Sequence, residues 1–354
     1  MKTPFKIYLL LLLLPSVLLA DNPTLGKFIK QKTIKKAYIV NAEAGIDITN
    51  LYGNIYVTTW DEDKVEFDIL IKVSGDNEEW TVNRLNDIDV AIVAMKNLVT
   101  AQTKIGKTKN KWGKNNSIEI NYTIKIPKKG AVKLDNKYGN IVTADLFNTT
   151  NITSQYGNIT MGKLNSTSNT FDLEYVKSAD ISFLKSAIIN AKYSKVTVGS
   201  FEKLTFDSSY TDLTALKGDA LKYDSDYGKL KLGTINELYC DGSYLTIKID
   251  QLDNSLSLNT NYSSFKIGNV SANARNIAID SGYTQVTIGY NSGYNFDFDV
   301  NLTYGQFNYD SDLQFTSRQD SSTDKRYKGS SSKSSGNKVA INSNYGSVSL
   351  TKNQ

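Results

Sequence analysis

The fold class predicted from the sequence is all-β, a parallel β-solenoid with a small mixed α/β insertion near its N-terminus. Three observations predict it. Tyrosine recurs at intervals of 17 to 21 residues through most of the chain. Each copy sits in one short pattern of alternating apolar and polar residues. The composition, 22 tyrosines and four prolines in 354 residues with abundant Ser, Thr and Asn, suits strands and turns.

The first element is a leader. Lys2 and Lys6 precede an apolar run over 7–14, and Pro15 and Ala20 follow before the chain turns polar. This is the layout of a secretory signal peptide, too short to span a bilayer as a helix. Cleavage is expected near Ala20-Asp21, and no later stretch is apolar enough for a membrane span. The expected divisions are a signal peptide over 1–20, a strand-rich capping region with a short helix over 21–129, and the solenoid over 130–354.

The second element interrupts the repeat. Tyr52 is an isolated early copy. Residues 64–73 (KVEFDILIKV) then alternate as a strand, and Glu78–Asn86 has helical character with Asp76 or Asn77 as its cap. Residues 89–95, 98–105 and 117–126 read as further strands, with an exposed Lys/Gly/Asn-rich loop over 106–116. This segment is expected to cap the first coil, because an open terminal coil exposes edge strands.

The third element is the repeat, at Tyr138, Tyr156, Tyr175, Tyr193, Tyr210, Tyr227, Tyr244, Tyr262, Tyr283 and Tyr304, with Tyr345 two periods further on. Aligned on tyrosine, all twelve copies are apolar four residues earlier, from Ile48 and Leu134 to Ile341. Three residues before tyrosine, ten copies carry Asp or Asn, and three residues after it all but Ser178 are apolar. Such segments have one buried face, and the Asx and Gly between them serve corners. One unit cannot bury its own apolar face; stacked units can, with equivalent residues about 4.8 Å apart. Right-handed coiling is expected from the hand of parallel crossovers. Residues 321–337, rich in Ser, Lys and Gly, read as a flexible excursion between the last two coils.

The units LYGNI, KYGNI and QYGNI, the passage IPKKGAVKLDNKYGNI (126–141) and the terminal VAINSNYGSVSL resemble the bacterial β-strand-repeat proteins grouped as adhesins, including the autotransporter adhesin-head type. The resemblance spans nearly the whole chain beyond the leader. It implies a parallel β-solenoid at the cell envelope, and its motifs are structural rather than catalytic.

Composition excludes several kinds of chemistry. The chain has no histidine, which removes His-metal sites and Ser-His-Asp or Cys-His catalysis. One cysteine, Cys240, cannot form an internal disulfide, and its always-apolar slot reads as a buried hydrophobe. Without Lys2 and Lys6 the chain carries 39 basic against 36 acidic residues, too even to imply nucleic acid.

Three candidate sites remain. Stacked Tyr193, Tyr210, Tyr227, Tyr244 and Tyr262 would form an aromatic strip able to grip sugar rings, or would only brace the corner. Alternation leaves open whether they face in or out. Asp207, Asp224 and Asp241 fall in successive coils, where like charges must be offset by solvent, corner amides or a cation such as Ca²⁺. Free exchange of Asp with Asn at that position favours a backbone-bonding role, and no cofactor is otherwise expected. Asp224 with Asp226, or Asp297 with Asp299, are the carboxylate pairs a polysaccharide-acting enzyme would use. The reading is a non-catalytic, exported binding or structural protein of the periplasm or outer surface, with carbohydrate or another envelope component as partner; the alternative is that enzyme on the same scaffold.

Overall fold

The structure, a computed structural model, describes residues 26–107, 113–332 and 336–353. The expected signal peptide and its cleavage point lie outside the described residues, as do 108–112 of the expected loop and 333–335 of the Ser/Lys/Gly-rich stretch. Among the described residues no helix is long and apolar enough to cross a membrane.

Each repeat forms one rung of a parallel β-solenoid, two strand segments meeting at the tyrosine. Thr150–Gln155 pairs in parallel with Val132–Lys137 on one side and Asn169–Glu174 on the other, with Ile152 opposite Leu134 and Phe171. The second segments stack likewise, Asn158–Leu164 lying between Ile141–Thr143 and Ser178–Lys192. Lys195–Asn261 continues the same rungs through three further corner tyrosines, Tyr210, Tyr227 and Tyr244. Apolar residues therefore form continuous inward columns, such as Leu134, Ile152, Phe171, Ile189 and Phe206. The Tyr156 rung buries Ile152, Ile159, Met161 and Leu164, about 1.5–3 kcal/mol each. Ordering its backbone costs about 1–2 kcal/mol per residue. A rung alone therefore cannot hold, and the pairing on both sides makes it stable. Ser178, the exception in the repeat, is accounted for: the corner after Tyr175 holds one extra residue, and Ala179 takes the inward place opposite Ile159 and Val196.

At the N-terminal end the stacking begins at Gly45. Gly45–Leu51 and Ile55–Trp60 lie directly on Val132–Lys137 and Ile141–Thr143, with Ile46 opposite Val132 and Ile55 opposite Ile141. The intervening segment passes to the outer side. There Leu98–Ile105 and Ser117–Pro127 pair in parallel with the Tyr52 rung and form a further rung whose one tyrosine, Tyr122, is buried in the core. Antiparallel strands then close the end: Lys64–Gly75 on Ser117–Pro127, Phe28–Ile39 on Lys64–Gly75, and Ile88–Ala94 on Leu98–Ile105. The helix Glu78–Asn86 is capped by Asn77, whose Oδ1 accepts the Trp80 N–H at 2.8 Å, and it buries Trp80 against the core. Buried Asn50 ties the first corner by donating to the Gly53 and Ile120 carbonyls.

The C-terminal end departs from chain order. Lys338–Asn344 pairs in parallel with Ile277–Gly282 on one side and Asp297–Thr303 on the other. Ser347–Asn353 does the same between Gln285–Asn291 and Gln306–Tyr309. The Tyr345 rung, last in sequence, is thus wedged between those of Tyr283 and Tyr304. Part of the stretch expected to be a flexible excursion is ordered strand. Asp324–Ser330 pairs antiparallel with both Gln314–Asp320 and Asp297–Thr303. Its polar composition misleads because Tyr327 and Gly329 are the inward residues that count. Tyr327 joins Phe298, Phe307, Tyr309 and Phe315 in an aromatic plug that seals the core, with ring centroids between 4.8 and 6.4 Å apart.

Candidate functional site: the tyrosine ridge and the trough beside it

All twelve repeat tyrosines take positive φ, between 49° and 61°. That conformation turns the chain through the corner and costs about 1–2 kcal/mol for a residue with a Cβ. The corner is held by ladder bonds: the Tyr52 N–H donates to the Lys137 carbonyl, Tyr138 to Gln155, and Tyr283 to Asn344. The same geometry sends every ring outward, which resolves the direction that alternation left open. Each ring is between 39 and 57 % exposed.

The rings stack in the order of the rungs. Centroids lie between 4.6 and 5.4 Å apart and planes within 14° from Tyr52 to Tyr283, then through Tyr345 to Tyr304. The five singled out from the sequence, Tyr193, Tyr210, Tyr227, Tyr244 and Tyr262, are consecutive, and Tyr227–Tyr244 is the tightest pair at 4.6 Å and 1°. A stacked aromatic pair contributes about 0.5–1.5 kcal/mol, so stacking roughly offsets the corner strain. Packing ring on ring also covers the faces. Along the ridge a ligand meets ring edges and a row of hydroxyls, not open aromatic planes. Burial, and then the neighbouring tyrosines, raise the pKa of Tyr175 and Tyr227, so these hydroxyls stay protonated.

Beside the ridge, the outer face of each first segment carries two polar columns, three residues and one residue before tyrosine. Thr153, Asp172, Asn190 and Asp207 form one wall and Gln155, Glu174, Lys192 and Ser209 the other. Between them runs a trough of about 410 Å³ spanning four rungs, floored by Leu173, Ala191 and Ser208. Its walls are pre-arranged: Asn190 Nδ2 donates to Asp172 Oδ1 at 2.8 Å, and Gln155 Nε2 to Glu174 Oε2 at 3.1 Å. The nearer wall has no repeating chemistry, so a search for repeats passes over it; only its shared phase with the Asx column could have flagged it.

The Asx column explains the exchange of Asp with Asn. Amides donate from one rung to the next: Asn259 to the Asp241 carboxylate at 2.8 Å, Asn342 to the Asp280 carboxylate at 2.7 Å, and Asn301 to the amide oxygen of Asn342 at 3.1 Å. The partners are side chains of neighbouring rungs. Asp207, Asp224 and Asp241 form the stretch where no amide intervenes. Burial raises the Asp224 carboxyl above its ordinary pKa, with Asp207 and Asp241 adding to the effect. The carboxylates run in file, and among the described residues no group of three or more His, Cys, Asp or Glu is placed to hold a metal ion. A carboxyl whose pKa is raised on folding weakens the fold while ionised, and that penalty is relieved as pH falls through the folded value. Asp224→Asn is therefore expected to raise the melting temperature slightly near about pH 7, with the gain shrinking toward about pH 3. Equal melting at both pH values would show that the column is fully screened.

The other candidates hold ordinary places in the fold. Asp224 and Asp226 share the exposed face of one strand, as alternation requires. Asp299 is committed to Lys328 at 2.9 Å and also accepts from Asn301. Cys240 is fully buried in the apolar column, where burial pushes its thiol pKa well up, so it is not a nucleophile.

No protein-family model matches the chain, and no curated protein sequence matches it. Solved structures do. One, described as a "putative cell adhesion protein" from Clostridium sporogenes, is 11 % identical and has a TM-score of 0.17, the match covering 91 % of this chain and 100 % of that one. A "putative adhesin" from Parabacteroides distasonis is 12 % identical with a TM-score of 0.34, covering 71 % of this chain and 92 % of its own. Another from Bacteroides fragilis is 11 % identical with a TM-score of 0.27, covering 91 % and 97 %.

Proposed function

We propose that this chain is an exported, non-catalytic, adhesin-like binding protein of the bacterial cell envelope, holding carbohydrate or another envelope component along its tyrosine face. The observation that carries this reading is the uninterrupted row of twelve half-exposed tyrosines fixed on a rigid scaffold. Twelve residues held at strained φ present the same hydroxyl edge at regular intervals, and a periodic surface suits a periodic ligand. The leader-like N-terminus and the resemblance of the YGNI units to envelope adhesins favour export, to the periplasm or the outer surface. The enzyme alternative needs a carboxylate pair free to exchange protons, and of the pairs considered Asp299 is already ion-paired.

The test is a binding screen of residues 21–354 against polysaccharides and peptidoglycan, run beside a Tyr210→Asn/Tyr227→Asn/Tyr244→Asn variant. Asparagine is chosen because it tolerates positive φ. Binding by the native chain and its loss in a variant with an unchanged circular dichroism spectrum is the expected result. Absence of binding by either protein would leave the ridge as a structural device and end the adhesin-like reading.

A further inference from the structure

We infer that the trough spanning the Tyr156, Tyr175, Tyr193 and Tyr210 rungs seats an extended β-1,4-linked chain of uncharged hexose or N-acetylhexosamine, parallel to the solenoid axis with one sugar per rung. This rests on the carbohydrate-binding reading above and names its ligand and place.

Spacing is the first argument. The trough walls repeat once per rung, and the flanking tyrosines stand 5.0, 5.0 and 5.1 Å apart. A ligand bonds to all four rungs only if its own repeat matches. A β-1,4-linked pyranose ribbon advances by close to this distance per sugar; successive sugars are turned over, but equatorial hydroxyls line both edges, so each wall meets a hydroxyl at every rung. An extended peptide advances about 3.3 Å per residue with alternating sides, so its like-facing groups fall out of step within two rungs. An α-1,4-linked glucan coils, and cannot follow a straight trough.

Chemistry is the second argument. Carboxylates of Asp172, Glu174 and Asp207 accept from sugar hydroxyls, and amides and hydroxyls of Thr153, Gln155, Asn190 and Ser209 both give and accept. Bonds to the ionised groups are the stronger ones. With three carboxylates against the single ammonium of Lys192, the lining disfavours uronates and phosphate backbones. At the next rung, that of Tyr227, both walls are carboxylates, Asp224 and Asp226, so the mixed lining is broken there. The covered ring faces leave edge hydroxyls as the ridge's contribution, and the side-chain ladder within the far wall lowers the cost of ordering it on binding.

The experiment is calorimetric titration of residues 21–354 with cello- and chito-oligosaccharides of two, four and six sugars, and with maltohexaose. The expected result is a β-1,4 tetramer bound about tenfold or more tighter than the dimer, a gain of about 1.4 kcal/mol, with little further gain at six sugars and no maltohexaose binding. Asn190→Ala/Asp207→Ala should weaken the tetramer about tenfold, while Asn259→Ala, in the same column outside the trough, should not; melting curves establish that all three proteins are folded. Oligosaccharide binding that survives Asn190→Ala/Asp207→Ala, or that favours the α-linked chain, overturns the trough assignment and leaves the broader reading standing. If no oligosaccharide binds but the polysaccharide screen is positive and depends on the ridge, the trough assignment alone fails. If both are negative, the binding reading fails with it.

Discussion

Gly139→Ala is expected to be among the most damaging single added methyls in the described residues. The added Cβ would lie 1.9 Å from the Gly53 carbonyl oxygen in the rung on one side, and the same contact recurs as Gly157 meets the Gly139 carbonyl at 2.0 Å. Both atoms are backbone, fixed by ladder bonds along two rungs, so neither can step aside without stretching the stack. At a site with room, Gly→Ala stabilises by about 0.4–1 kcal/mol through the unfolded chain. Here the sign reverses, and a loss of about 3 kcal/mol or more is expected. Other corners manage a side chain after tyrosine by a different arrangement. Ser194 and Thr211 use their hydroxyls there, Thr211 Oγ1 accepting the Ser194 N–H at 3.2 Å and Ser194 Oγ the Val176 N–H at 3.0 Å. Chemical denaturation, with hydrogen exchange to locate the loss around the Tyr52–Tyr156 rungs, is the check. An unchanged denaturation midpoint would mean that a glycine corner converts to the hydroxyl-type arrangement at no cost, and the steric argument would be wrong.

Removal of residues 338–354 is expected to destabilise two rungs, not one. Chain order makes this segment the last rung, whose loss would expose a single new end. Among the described residues it is the only parallel partner of Asp297–Thr303 and Gln306–Tyr309, and it also covers Ile277–Gly282 and Gln285–Asn291. Without it the Tyr304 rung, its hairpin and the aromatic plug have no stack to close. The Tyr283 rung would then present bare strand edges, a surface prone to association with other chains. Hydrogen exchange should therefore show loss of protection over 297–309 in the truncated protein, with aggregation at higher concentration. Persistent protection of 297–309 would mean that the terminal rung can dock directly on the Tyr283 rung, against the wedged order.

The sequence by itself determined the rung. Phase along each segment tells which residues face inward, because a strand has a period of two and one face must be buried; Leu134, Ile152, Phe171 and Ile189 were legible for that reason. The recurring tyrosine marked the corner, and the helix Glu78–Asn86 was legible from its helical character and an Asx cap, Asp76 or Asn77, which the structure assigns to Asn77. The stacking of neighbouring tyrosines followed from their even spacing. The order of the rungs and the combination of their surfaces arise from packing and cannot be read along the chain. Tyr345 lies between Tyr283 and Tyr304 because parallel pairing depends on matching edges rather than on adjacency in the chain, and any rung of the same pattern offers a matching edge. The outward turn of the tyrosines depends on a positive φ at each corner. Period-two alternation fails at such a residue because the chain there is not a strand. The trough likewise joins Gln155, Glu174, Lys192 and Ser209, residues alike in position and unlike in chemistry. A repeat shows itself in sequence through sameness, whereas this wall is defined by differences that only stacking brings side by side.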